Sequence, residues 1–365
     1  MAIMWSKVVK TILGSLLGLV ALAAACVPST DLGTEVMGRE VAYVRFGSGE
    51  DVIVVAPVHD PVHGREVARI PHAPGWGISA SLSPDGRWVA YVALPIWAPQ
   101  PAKDISTAGE VWLLSLDTGE RRLLARGADV RLAPIWSPRG DHVAFRAVEQ
   151  GELVALWVGD IATGEARPWA RLPSASPLGF SADGRTLYVV QGGSLLGIGE
   201  SAEMGHAPPQ VPEGEVKEWS ISPQGTHVAA VVYKGGRWSL WVLELASSTW
   251  VEWWQGGWDP IFRPTWGPDG RTLAIGVASS SEGHGVMVVP EEGPPRQLTA
   301  PSHGFDVPLA WAPDGVALLV AHYASYPVQQ EPALGLVTAQ GARATLMGGR
   351  GVIILGWTSS RGRGP

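Results

Sequence analysis

Short apolar runs recur along this chain, each entered through a polar turn. Ser83-Pro84-Asp85-Gly86 leads into Trp88-Val89-Ala90-Tyr91, and Ser137-Pro138-Arg139-Gly140 leads into His142-Val143-Ala144-Phe145. Ser181-Ala182-Asp183-Gly184 precedes Thr186-Leu187-Tyr188-Val189, and Ser222-Pro223-Gln224-Gly225 precedes His227-Val228-Ala229-Ala230. Gly267-Pro268-Asp269-Gly270 precedes Thr272-Leu273-Ala274-Ile275, and Ala312-Pro313-Asp314-Gly315 precedes Ala317-Leu318-Leu319-Val320. Runs this short, bounded by Pro and Gly, predict strands joined by hairpins. Pro presets the first turn dihedral, Asp bonds its own backbone, and Gly supplies the positive φ that closes the turn. The turns are punctuation rather than chemistry.

The turn glycines are spaced by 54, 44, 41, 45 and 45 residues, a period that belongs to repeat architectures. Strand content selects an all-β propeller of four-stranded blades. Each repeat also has a second half: Val111-Trp112-Leu113-Leu114 before Thr118-Gly119-Glu120, Leu156-Trp157-Val158 before Thr163-Gly164-Glu165, and Ser239-Leu240-Trp241-Val242. Leu195 to Gln210 is a degenerate copy. Trp136, Trp266, Trp311 and Trp357 share the position before the turn, which marks them as blade-packing residues. Three strands from Val41 to Ile70 lack a preceding hairpin, and Gly351 to Trp357 is a pre-turn strand followed by Thr358-Ser359-Ser360-Arg361-Gly362, a copy of the turn with one extra residue. Joining these ends completes one blade split between the termini and gives seven blades; six is the alternative if the last segment packs outside. The repeat resembles that of TolB-like and WD-repeat-like propellers of bacterial periplasmic proteins, and the propeller of prolyl-oligopeptidase-type enzymes. The resemblance covers roughly residues 40 to 362 and implies an envelope-associated module that contacts other proteins.

The N-terminus reads differently. Lys7 and Lys10 precede an uncharged apolar run from Thr11 to Ala25, and Cys26, the chain's single cysteine, follows. This layout is a signal segment over 1–25. Its end resembles a bacterial lipobox, although Ala23 stands where that motif prefers Leu; an ordinary secretory signal or an uncleaved anchor is the alternative. The resemblance implies a lipid on Cys26, a tether over 26–39, a single propeller domain over 40–365, and an extracytoplasmic protein held to the cell membrane. With Cys26 used, no internal disulfide is available, so the 46% hydrophobic content and 18 Trp must supply the stability. The formal charge of −7 and the lack of any basic run argue against nucleic acid as a partner.

Catalytic motifs are not found. The chain has no Gly-x-Ser-x-Gly elbow, no room for a hydrolase domain, and no His-Glu-x-x-His pair among its nine His. His59, Asp60 and His63 form the tightest ligand-capable group, on a turn of the face away from the channel mouth. The expectation is therefore a monomer without catalytic residues, cofactor or resident metal. Its partner surface is expected on the face carrying the loops from the fourth strand to the first and from the second to the third. Those loops are assigned His72, Trp76, Asp129, Arg131, Lys217, Glu218, Trp258, Asp259, Arg263, His303, Asp306 and Arg350. The long loop Leu94 to Gly109 adds Trp97. A small-ligand binder or an enzyme acting on sugars or peptides at the channel mouth is the rival reading.

Overall fold

The computed structural model describes residues 33–98, 107–149, 152–200, 208–209, 212–278 and 285–359. The expected signal segment, Cys26 and the first part of the tether lie outside the described residues, as do 99–106 of the long loop. A single helical turn, α1 (Thr34–Met37), precedes the strands. These are β1 (Glu40–Arg45), β2 (Glu50–Pro57), β3 (Arg65–Pro71), β4 (Ser79–Leu82), β5 (Trp88–Ala93), β6 (Ala108–Ser115) and β7 (Arg121–Asp129). Next come β8 (Ile135–Trp136), β9 (His142–Glu149), β10 (Glu152–Asp160), β11 (Ala166–Ala170), β12 (Ser176–Phe180), β13 (Thr186–Gln191) and β14 (Ser194–Gly199). The rest are β15 (Glu215–Ile221), β16 (His227–Lys234), β17 (Arg237–Glu244), β18 (Thr249–Gln255), β19 (Ile261–Trp266), β20 (Thr272–Val277), β21 (Val286–Pro290), β22 (Arg296–Gln297), β23 (Phe305–Trp311), β24 (Ala317–Tyr323), β25 (Ala333–Thr338), β26 (Arg343–Gly348) and β27 (Val352–Trp357).

Among the described residues every ladder is antiparallel, and all but two join chain neighbours: β7 with β9, and the pairing that closes the molecule. β27 pairs with β1, Val41 opposite Trp357, to give the sheet order β27-β1-β2-β3. The inner strands β27, β4, β8, β12, β15, β19 and β23 each touch the next, and β23 touches β27, so they form a closed ring. The fold is a β-propeller.

The sheets depart from uniform four-stranded blades in two places. β4 to β7 and β8 to β11 are fused into one eight-stranded sheet, because the tail of β7 pairs with β9 at Ala128 and Ala147 and β8 is only two residues long. β12 to β14 form a three-stranded sheet, which is the degenerate repeat.

The repeated hairpin has one geometry. Its first residue donates its backbone N–H to the carbonyl five residues later: Ser83 to Trp88 O at 2.8 Å, Ser137 to His142 O at 2.9 Å, and Ala312 to Ala317 O at 2.8 Å. Ser adds a second tie where present, its Oγ accepting the Trp88 N–H at 2.9 Å and the Thr186 N–H at 3.0 Å in the respective copies. The turn glycines all have φ between 66° and 75°, the left-handed region that a side chain disfavours.

The core lies between blades. Ala90, Val111 and Leu113 of one meander pack with Trp136, Val143 and Phe145 of the next. The pre-turn Trp residues wedge into this seam, and three of them donate their Nε1 N–H to the preceding inner strand: Trp136 to Ser81 O (3.3 Å), Trp311 to Thr265 O (3.3 Å) and Trp357 to Ala310 O (3.1 Å). Trp266 instead lies edge-on to Trp253, ring centroids 5.7 Å apart.

Trp357 is buried and sits on the closing strand, so truncating it removes both a core side chain and a tie across the seam. Trp357→Ala is expected to destabilise the protein by about 3–5 kcal/mol. Urea denaturation checks this through a lower midpoint.

Candidate functional site

The loops from each outer strand to the next inner strand meet the loops from second to third strands on one face. Backbone bonds stitch them together: His72 N–H to Gly49 O (3.0 Å), Ala73 N–H to Leu94 O (2.9 Å), and Ala278 N–H to Pro260 O (3.1 Å). This face surrounds one mouth of the central channel.

Its rim carries exposed apolar side chains. Trp97 is 77% exposed and Trp258 is 72% exposed, values that set them apart from the other described Trp residues, which are buried or half-buried. Trp258 lies against Gly236, where an added Cβ would meet its ring at 2.2 Å. Tyr326 and Val328, on the loop after β24, and Ile96 beside Trp97 are also exposed. Tyr326 caps an aromatic cluster with Phe262 and Phe305, at centroid distances of 5.8 and 6.0 Å. Trp76 and Asp259 are half-buried, while His303 and Arg350 are exposed. Asp259 lines a cavity of about 250 Å³ with Trp254, Val277, Met287 and Gln297. Of these rim groups, sequence reasoning missed Ile96, Tyr326 and Val328; the length of the 324–332 loop was the available signal.

Several expected surface residues are placed elsewhere. His72 is buried, with its Nδ1 N–H donating to Ala73 O at 3.0 Å and its Nε2 3.1 Å from Asp51 Oδ1. The second contact is close but poorly aligned for a hydrogen bond, and it is an ion pair when His72 is protonated. Asp51 is fully buried and accepts the Gly47 and Ile78 N–H groups at 3.0 and 2.7 Å. The pair therefore locks two loops rather than facing a ligand. Asp306 is likewise fully buried, accepting from His322 Nδ1 at 2.9 Å. Arg131 is bound to Asp129 through Nε at 2.9 Å and Nη2 at 3.1 Å.

Lys217 and Arg263 are not loop residues at all. They lie on the inner strands β15 and β19 and so belong to the channel wall. Lys217 pairs with Glu215 and sits 5.7 Å from the Tyr233 ring centroid. Glu218, on the same strand, reaches across to β19 and accepts the backbone N–H of Arg263 at 2.6 Å. Burial pushes the Glu218 carboxyl up, against the lowering effect of that bond and of the Arg263 charge. Arg146, which sequence reasoning did not single out, donates to Ser176 Oγ at 3.4 Å; burial lowers its pKa, Asp129 opposing this and Arg131 adding to it.

On the opposite face, His63 bonds Asp60 at 2.8 Å and His59 bonds Met37 O at 2.8 Å. Among the described residues no three His, Cys, Asp or Glu side chains are grouped to hold a metal. A cavity of about 270 Å³ lined by His142, Asp160, Glu165, Arg167 and Trp169 lies beside the turn between β10 and β11.

No family model matches the chain. A stretch of 123 residues is 31% identical to the uncharacterized peptidase YuxL of Bacillus subtilis; it makes up 33% of this chain and 18% of that protein. Among solved structures, a prolyl endopeptidase is similar with a TM-score of 0.59 at 12% identity, covering 88% of this chain and 51% of its own. Hydrazine synthase of Kuenenia stuttgartiensis aligns with a TM-score of 0.51 at 16% identity, over 71% of this chain and 76% of that one. TolB of Acinetobacter baumannii aligns at 0.48 and 16% identity, over 88% and 67%. At these identities the likeness is one of fold, and the propeller is the shared element.

The His72 and Asp51 pair yields a pH dependence. Burial opposes charge on His72, but the Asp51 carboxylate, the Ala73 carbonyl and the Glu50 charge outweigh it and raise the pKa above the ordinary value. A group whose folded pKa is raised stabilises most below its unfolded pKa of about 6.5 and loses that contribution as pH rises through the folded value. Wild-type melting temperature is expected to fall over that interval, and His72→Gln to flatten the fall. Differential scanning calorimetry of both proteins from pH 5 to 9 checks this.

Proposed function

We propose that the chain is an extracytoplasmic protein-binding module of the cell envelope, a seven-bladed propeller anchored by a lipid on Cys26 and carrying out no chemistry of its own. The blade count takes the fused sheet as two blades, since one residue pair joins its halves and each half contributes its own inner strand to the ring. The observation that carries the function is the exposure of Trp97, Trp258, Tyr326 and their apolar neighbours on one face, beside exposed His303 and Arg350. Large aromatic side chains left in water around a polar rim are the usual anchors of protein interfaces. The resemblance of the repeats to TolB-like propellers supports the same reading. YuxL is called a peptidase, but this chain matches only 18% of it.

Two experiments test the proposal. The mature protein, crosslinked in intact cells, is expected to capture a protein partner that is lost from a Trp97→Ala/Trp258→Ala double variant and kept by Val62→Ala, an exposed change on the other face. Each anchor is expected to cost on the order of 2 kcal/mol of binding, about thirtyfold. Retention by the double variant, or capture of nothing by any of them, overturns the reading. Separately, Cys26→Ser is expected to abolish incorporation of labelled fatty acid and to move the protein from the membrane to the soluble fraction.

A further inference from the structure

Five of the seven inner strands share a distortion that the repeat pattern does not announce. Their ladders slip by a bulge at Leu178 in β12, Lys217 in β15, Arg263-Pro264 in β19, Leu309 in β23 and Leu355 in β27. A bulge leaves one residue unpaired and re-aims its side chain. In three of the five strands that residue is a half-buried Leu, two positions before the aromatic that precedes the turn. On β19 the same place is occupied by Pro264, which has no N–H to give to a ladder, and Arg263 stands just before it.

Arg263 has φ = 47°, a left-handed conformation that a non-glycine residue adopts at a cost. Other groups hold it there: Glu218 takes its N–H at 2.6 Å, and its carbonyl accepts the Thr265 hydroxyl at 3.0 Å. Its guanidinium, by contrast, makes no hydrogen bond or ion pair with any described residue, although the side chain is exposed. An exposed side chain on the innermost strand of a closed ring faces the lumen. Protein surrounds it there: burial lowers its pKa, with the Glu218 and Tyr323 charges opposing. A permanently charged fork kept in an enclosed space with its donors unspent is a carboxylate receptor by geometry. The Glu218 carboxyl lies close enough for its charge to favour the guanidinium, but its hydrogen bond goes to the Arg263 backbone N–H and leaves the guanidinium donors open.

We propose that the channel binds a carboxylate borne on an apolar body, with Arg263 taking the carboxylate and Leu178, Leu309 and Leu355 contacting the rest. A peptide C-terminus and a small organic acid share this chemistry. The site does not depend on whether a protein docks on the rim.

The test is calorimetric titration of the full mature protein with three probes: hexanoate, the tripeptide Ala-Ala-Leu with a free C-terminus, and the same peptide amidated. Wild type is expected to bind at least one acid and to bind the amide at least tenfold more weakly; which acid binds tells the two sources apart. Arg263→Gln keeps the backbone cost and removes the charge, and is expected to weaken acid binding at least tenfold. Arg263→Gly relieves the backbone, and is expected to lose binding while melting at the wild-type temperature or above. Equal binding of amide and acid, undiminished binding by either variant, no binding of any acid by wild type, or a lower melting temperature for Arg263→Gly would each overturn the proposal.

Discussion

Everything in this molecule depends on the inner strands closing a ring. Each must meet its neighbour at a separation set by side chains, and the polar groups brought inside by that approach must be bonded. The structure meets both demands with the same residues. The pre-turn Trp fills the seam and, in Trp136, Trp311 and Trp357, donates its ring N–H to the neighbouring strand, while Ser79 and Ser81 of β4 donate to Val130 and Pro134 carbonyls at 2.7 and 2.6 Å. Closure falls to β27, which pairs with β1 and so leaves no inner strand without a neighbour.

The ring also explains where function can sit. Side chains on the blade faces are consumed in packing between blades, and the turns away from the mouth are occupied by the repeated hairpin. What remains is the loop-bearing face and the lumen. The rim offers aromatic surface on Trp97, Trp258 and Tyr326, whereas the lumen offers half-buried Leu side chains and the Arg263 guanidinium. These are different kinds of recognition. The first suits a large, weakly hydrated partner surface and the second a small ligand with one anionic group.

Buried polar pairs draw the line between the two regions and the scaffold. Asp51 spends its carboxylate on two loop N–H groups and on His72, and Asp306 is fully buried against His322. In a fold whose loops crowd one face, backbone groups lose water and need such partners. A charged residue in a loop is therefore as often a clasp as a contact, and only its exposure distinguishes the roles.

The sequence by itself determined the hairpin, its period, the strand content and the complementary half-blades at the two termini, because turn chemistry and apolar runs are local and repeat. It also marked the packing role of Trp136, Trp266, Trp311 and Trp357, since equivalence between repeats stands in for contact. It placed Trp97 and Trp258 on the loop-bearing face, where both are exposed. It misjudged His72 and Asp306, which are buried, and Lys217 and Arg263, which stand on the channel wall. Tertiary structure alone decided those four, along with the fusion of β7 to β9 and the bulges on the inner strands. Burial, ion pairing and the direction of a bulged side chain depend on neighbouring strands and blades that are distant in sequence, as far apart as Val41 and Trp357 at the closing pair, and spacing along one chain carries no record of that distance.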